Sequence, residues 1–482
     1  MSALDPKPLA SLCIHGHFYQ PPREDPFTGK IPAEHGAEPY RNWNERIHAE
    51  CYRPNATLGN LERISFNVGP TLFRWLAEHD PLTTQRIVRS DRHNLLRYGV
   101  GNAMAQVYNH TILPLASHRD KELQVAWGIA DFEHRFGRPP QGMWLAETAA
   151  DNETLDVLAG RGIQFTILAP WQAEPVDLDP TQPYRIKLPS GRSIIVFFYE
   201  RELSGRVSFD PGITSNADSF AQWHVLPKLR SDKLERAEPQ LITIATDGEL
   251  YGHHQKFRDL FLNHLVNGSG RHAGLAVTYP ALWLRDHPVR HVAGIRDKTS
   301  WSCHHGVLRW SGNCDCTWGD GTWKARLRAA FDRLAGRLDA LYESQALRLG
   351  LEPWPLLERY IQVVLGQQST DDLIQSAASR PVTAAARRRL ALLLEAQYYR
   401  QWMYTSCGWF FDDLDRIEPK NNIAYAARAV LAARLATGKD LGPAFGADLG
   451  QVVSPRTGLR GDTVYQQAVQ RALTTSRPPE LA

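Results

Sequence analysis

The chain has 482 residues, 43% of them hydrophobic and 22% charged, and a formal net charge of +3. That length allows two or three globular domains, and the small, dispersed charge argues against nucleic acid or an anionic membrane as partner. No apolar run approaches the ~20 residues that span a bilayer, and the opening Met1-Ser2-Ala3-Leu4 lacks a secretory pattern, so a cytoplasmic protein is expected.

From residue 8 to 296, short β-type runs alternate with helical patterns, which predicts an α/β domain built on a parallel sheet. The first run, Leu12–His15, leads into His15-Gly16-His17-Phe18-Tyr19-Gln20-Pro21-Pro22. Further strands are expected at Ile64–Val68, Gly142–Leu145, Phe165–Leu168, Ile194–Tyr199 and Leu241–Thr246. Helices are expected at Leu72–His79, Lys121–Phe136 and Leu155–Gly160. Val125, Ile129, Phe132 and Phe136 recur at the spacing of one helix face.

Polar residues close several of these strands, where a barrel carries its working loops. Glu147 ends the run through Trp144, and Asp247 ends the run Leu241–Thr246, with Glu249 two residues on and His253 beyond it. Two carboxylates facing each other across a cleft are the minimum equipment for cleaving a glycosidic bond. The plainer reading makes each acid a helix cap or an ion-pair partner. His15 and His17 alternate about Gly16 and can face one side of a strand end. With His110 and His253 they suit a polar cleft, while any one alone suits a structural role.

Residues 297–322 have little periodicity and read as an aromatic-rich loop or insertion. Trp301, Trp310, Trp318 and Trp323 bunch here, and Trp409 follows in Tyr398–Asp413; flat aromatic faces suit sugar rings as well as cores. Cys303, Cys314 and Cys316, beside His304 and His305, fit no common zinc spacing, so buried thiols and no metal are expected. No cofactor is expected. Residues 323–470 read as an α-helical domain, with helices at Trp323–Gln345, Pro355–Leu365, Thr383–Gln401 and Asn422–Ala436. A fraying tail follows from Arg471 through Pro478-Pro479.

These motifs resemble glycoside hydrolase family 57, a group of α-amylases, 4-α-glucanotransferases and glycogen-branching enzymes. The family's His-x-His-Gln-Pro opening is recognisable in His15, His17, Gln20 and Pro21, with Phe18-Tyr19 inserted. Its second region matches His110 and Leu113-Pro114-Leu115. The third matches Gly142, Trp144 and Glu147, with Ala146 where a Pro is usual. The fourth matches Asp247, Glu249, Leu250, Gly252 and His253, and a fifth falls within Asp297–Trp310.

The resemblance implies a (β/α)7 barrel catalytic domain followed by an α-helical domain. It further implies a retaining enzyme acting on an α-glucan or maltooligosaccharide. Glu147 would be the nucleophile and Asp247 the general acid/base. His15, His17, Gln20, His110 and Trp144 would bind substrate, as would Glu249, His253, Trp301, Trp310 and Trp409. Two alternatives stand beside this reading. One is a metal-dependent α-mannosidase-like or deacetylase-like enzyme using His15, His17, Asp247 and His253. The other is an inactive glucan-binding protein. Hydrolysis versus transfer and the oligomeric state stay open.

Overall fold

Strand β1 (Ala10–Phe18) buries all nine of its residues, with Leu12, Ile14 and Phe18 on one face and Ser11, Cys13, His15 and His17 on the other. The computed structural model describes residues 9–474; Met1–Leu4 and Pro478-Pro479 lie outside that range. The described residues hold ten more strands. They are β2 (Ser65–Val68), β3 (Ala105–Gln106), β4 (Met143–Trp144), β5 (Phe165–Leu168), β6 (Ala173–Glu174), β7 (Tyr184–Lys187), β8 (Ser193–Phe198), β9 (Gln240–Asp247), β10 (Ala276–Thr278) and β11 (His291–Ile295).

β9 and β2 pair with β1 in parallel, and β10 pairs with its first half. A parallel bridge from Phe66 to Ala103 carries the run towards β3, and β3 pairs in parallel with β4. A second bridge, Gly142 to Phe165, reaches β5, which pairs in parallel with β8. Just past β8, the Glu200 N–H donates to Thr243 O of β9 at 2.7 Å, returning the run to where it began. β7 lies antiparallel to β8 and extends the sheet sideways through β11 and β6.

Each expected strand is present, shifted by at most a few residues. Helix Pro70–His79 continues, after a break at Asp80, as Pro81–Tyr98, which the sequence reading did not anticipate. That second helix buries only Thr83, Ile87, Ser90, Asp91 and Asn94, so it lacks an apolar stripe. Its start is nonetheless well formed: Pro81 stands in the first turn, and the Asp80 carboxylate accepts the Thr83 N–H at 3.1 Å.

The chain divides into two compact units. The first holds residues up to 20, 33–107 and 132–301, and the second holds 21–32, 108–131 and everything from Ser302. The second unit is helical, with long helices at Thr322–Arg348, Ala384–Trp402 and Ile417–Thr437. The expected helix Pro355–Leu365 is two shorter ones, Pro353–Arg359 and Ile361–Val364, and Arg471 belongs to helix Gly461–Thr474. Within this unit the guanidinium of Arg400 lies between the carboxylates of Asp120 and Asp339. Burying that cation is tolerable because both partners are there to neutralise it. No helix among the described residues is long and apolar enough to cross a membrane.

Gly142 marks where β4 and β5 come closest. A Cβ there would lie 2.3 Å from the Phe165 ring, which is itself locked in the core with Trp144, Ile167 and Phe197. Gly142→Ala is therefore expected to cost about 1–3 kcal/mol through overpacking. It should appear as a lower denaturant midpoint with an unchanged m-value; an unshifted midpoint would mean that β4 and β5 can separate freely.

Candidate active site

Parallel pairing puts the polar ends of β1, β2 and β9 side by side. His17 is the register partner of both Asn67 and Asp247. Because side chains alternate along a strand, Ser65 and Asn67 share a face, as do His15 and His17. The two pairs meet: His15 Nδ1 is 2.9 Å from Ser65 Oγ, and Asn67 Oδ1 is 3.2 Å from both His15 Nε2 and His17 Nδ1. Burial holds both imidazoles near a pKa of about 3, with Asn67 pulling weakly the other way. The shift favours the neutral imidazole in both, as a hydrogen-bonding group without charge.

The same two rings stack on Trp144, at centroid distances of 4.6 Å for His15 and 5.1 Å for His17. Trp301 meets Trp144 edge-on at 5.1 Å. Trp144 is fully buried while Trp301 is half-buried, so Trp144 supports the layer and Trp301 has a face left to present.

The three acids differ in setting. Glu249 is buried, and its Oε1 accepts from Tyr52 Oη at 2.6 Å and from the Tyr19 N–H at 3.0 Å. Burial still pushes its pKa up to about 7, with Tyr52, Tyr19 and Gln20 opposing the shift. Asp247 reaches solvent, yet protein crowds its carboxyl enough to strip most of its hydration. That desolvation, reinforced by the charges of Glu249 and then Glu147, raises its pKa well above the usual carboxylate range. Glu147 is therefore within electrostatic reach of Asp247.

Glu147 sits on a strained turn. Its φ is 56° and that of Thr148 is 49°, both in the left-handed region that non-glycine residues avoid. Buried Gln172 holds this turn: its Oε1 accepts from Thr148 Oγ1 at 2.8 Å, and its Nε2 donates to Thr148 O at 2.8 Å. Trp301 adds two more contacts, its indole N–H to Glu147 Oε2 at 2.9 Å and its backbone N–H to Glu147 O at 3.0 Å. Gln172, Ser65, Asn67 and Tyr52 were not singled out in the sequence. The period-2 placement of Ser65 and Asn67 in an apolar strand was the one legible signal.

Other sequence candidates have different surroundings. Gln20 is buried and bonded to Glu249 and Tyr52. His253 Nδ1 pairs with Glu50 Oε2 at 2.5 Å. His110, Trp310 and Trp409 belong to the second unit. His110 Nδ1 is 2.6 Å from Ser406 Oγ, and Trp409 donates its indole N–H to Lys324 O at 3.2 Å. Trp310 and Trp409 are wholly buried, which leaves no ring face for a sugar. A recess of about 700 Å³ in that unit is lined by Asp120, Arg328, Asp339, Arg400 and Tyr404 among others. The donors that a metal reading needs (His15, His17, Asp247 and His253) do not converge on one point among the described residues.

Comparison with known proteins bears on this arrangement. The model of glycosyl hydrolase family 57 matches residues 12–292, and that of a domain of unknown function, DUF3536, matches residues 318–477. No curated protein matches significantly. Among solved structures, an exo-type maltose-forming amylase from Pyrococcus sp. ST04 aligns over 96% of this chain and 88% of its own, with a TM-score of 0.75 at 16% identity. A branching enzyme of family 57 from Thermococcus kodakaraensis aligns over 98% of each chain, with a TM-score of 0.60 at 15% identity. A 4-alpha-glucanotransferase from Thermococcus litoralis aligns over 89% of this chain and 60% of its own, with a TM-score of 0.57 at 15% identity. At such identities the likeness is one of fold.

The Glu249 environment predicts a pH effect on stability. Its carboxyl binds a proton more tightly in the folded state, at about 7, than at its ordinary value of 4.5. A raised acid pKa makes stability fall as pH rises through that window. Glu249→Gln should remove up to about 3 kcal/mol of that fall, read from denaturant midpoints on either side of the window. An equal slope in both proteins would show that Glu249 ionises as freely folded as unfolded.

Proposed function

The chain belongs to glycosyl hydrolase family 57, and from that premise we propose a retaining enzyme that acts on α-linked glucans. The seven strands β9, β1, β2, β3, β4, β5 and β8, parallel and linked in a cycle, support a (β/α)7 barrel as its catalytic domain. The observation that carries the chemistry is the contrast between the two acids. Asp247 is solvent-reaching and driven towards its protonated form, while Glu147 is held on a rigid turn with a donor on its carboxylate.

In this reading Glu147 attacks the anomeric carbon as Asp247 gives its proton to the departing glycosidic oxygen. That step leaves a glycosyl ester on Glu147 and a carboxylate on Asp247. Asp247 then takes a proton from the incoming hydroxyl, whose oxygen displaces Glu147 and restores both groups. Glu249 is the poorer candidate for the proton donor, because it is buried and its oxygen is already engaged by Tyr52 and Tyr19. When ionised, Glu249 adds charge repulsion to the desolvation that favours a protonated Asp247. Neutral His17 lines the site without competing for the proton, His15 supports it with both ring nitrogens held by Ser65 and Asn67, and Trp301 offers an aromatic face beside the nucleophile. The substrate class rests on the family and on the activities named for the amylase, branching enzyme and glucanotransferase whose fold it shares.

Glu147→Gln should abolish turnover of a linear α-1,4 maltooligosaccharide by several orders of magnitude while leaving the circular dichroism spectrum unchanged. Asp247→Asn should lose about 10²- to 10⁴-fold on that substrate and far less on an activated aryl α-glucoside, whose leaving group needs little protonation. Equal losses on both substrates would remove Asp247 from the acid role. Product sizes distinguish the acceptors: new reducing ends mean water, and redistributed chain lengths without them mean another sugar.

A further inference from the structure

Outside the carboxylate site, one cluster of side chains has no part in this chemistry. Among the described residues, Cys303, His305, Cys314 and Cys316 are the one group of three or more metal-binding side chains whose donor atoms converge, all within 4.8 Å of one another. Cys303 Sγ is 3.5 Å from Cys314 Sγ, His305 Nδ1 is 3.2 Å from Cys314 Sγ, and Cys316 Sγ is 3.6 Å from His305 Nδ1. A tetrahedral zinc with bonds of about 2.3 Å to sulfur and about 2.0 Å to nitrogen has edges of about 3.5–3.8 Å between its ligands. These three of the six gaps lie within about 0.3 Å of those edges, and the others are no longer than 4.8 Å.

We propose that Cys303, His305, Cys314 and Cys316 form a structural zinc site. The sequence reading expected ordinary buried thiols, because Cys-x-Cys alone chelates poorly. The fold answers that objection with a turn, closed by the Thr317 N–H to Cys314 O at 3.0 Å, that sends both sulfurs to one side. A disulfide is the rival explanation of two close sulfurs. It would employ Cys303 and Cys314 only, leaving a third sulfur and an imidazole gathered without cause.

Charge supports the ion. Binding forms three Zn–S bonds and one Zn–N bond, releases three thiol protons, and changes no oxidation state, so the loaded site carries one net negative charge. Two cations stand around it. Buried Lys324 donates to Thr317 Oγ1 at 3.1 Å, and Arg309 donates to Cys316 O at 2.6 Å. All four positions are filled by protein, which is the signature of a structural and not a catalytic zinc. The segment needs such a tie: between Ser302 and Gly321 its only regular structure is the short turn Leu308–Trp310. An irregular stretch of that length is unusual in a packed domain without a staple.

The test uses the full-length protein, purified under reducing conditions without chelator or metal-affinity steps. Elemental analysis should find one zinc per chain. After removal of the metal, Co²⁺ should restore a tetrahedral spectrum with intense thiolate charge-transfer bands, a readout that does not depend on any variant folding. Cys314→Ser and Cys316→Ser should lose the zinc, whereas Cys407→Ser, outside the cluster, should keep it. His305→Ala, at an exposed position, should release zinc to a chelator faster than wild type. A reduced wild-type protein that contains no zinc and takes up neither ZnCl₂ nor Co²⁺ would overturn the proposal. So would peptide mapping that finds Cys303 joined to Cys314 in protein never exposed to oxidant.

Discussion

Two carboxyl groups placed two residues apart at the end of one buried strand cannot both be charged without cost. That constraint, set by Asp247 at the end of β9 and Glu249 in the turn that follows, shapes the polar end of the first unit. No cation among the described residues neutralises either acid, and the two take different settings. Glu249 turns inward and receives the hydroxyl of Tyr52 and the backbone N–H of Tyr19. Asp247 turns towards solvent, where no such donors relieve the repulsion. A proton is therefore retained between them over a range where isolated carboxyls have lost theirs.

The strands on the other side of β1 solve the opposite problem of placing polar groups in a core without placing charge there. Ser65 and Asn67 bond both ring nitrogens of His15 and the Nδ1 of His17, and Trp144 stacks against both rings. With the imidazoles uncharged, the charge of this region resides in the acids alone. Glu147 is fixed differently again, through its backbone. A left-handed turn is stable here because Gln172 bonds Thr148 twice and Trp301 bonds Glu147 twice. The strain is thus balanced by groups that come from two other segments of the chain.

Much of this was legible from the sequence, and the reasons for what was not are specific. β1 and β9 were visible because each is nearly all buried and runs from mainly apolar residues into polar ones at its end. Helix Pro81–Tyr98 was hidden because its buried side includes Thr83, Ser90, Asp91 and Asn94. Glu147 and Asp247 stood out as strand-ending acids, whereas Gln172 and Tyr52 act through tertiary contacts that no local pattern encodes. The tryptophans were the weakest signal: Trp301 lies beside Glu147, but Trp310 and Trp409 fill the core of the second unit. The cysteines failed for a related reason, since their convergence depends on a turn and not on spacing.

Phe18 and Tyr19 are the two residues by which this chain departs from the family's opening motif. The Phe18 ring lies against Gly16 and Gly248, close enough that a Cβ on Gly248 would come within 2.3 Å of it. Tyr19 supplies its N–H to Glu249. Phe18 therefore closes β1 by packing on two glycines, while Tyr19 opposes the raised pKa of Glu249. Donors from the segment at the end of β1 thus act on a carboxyl that lies just beyond β9, so a change in that segment alone is enough to alter the acidity of Glu249.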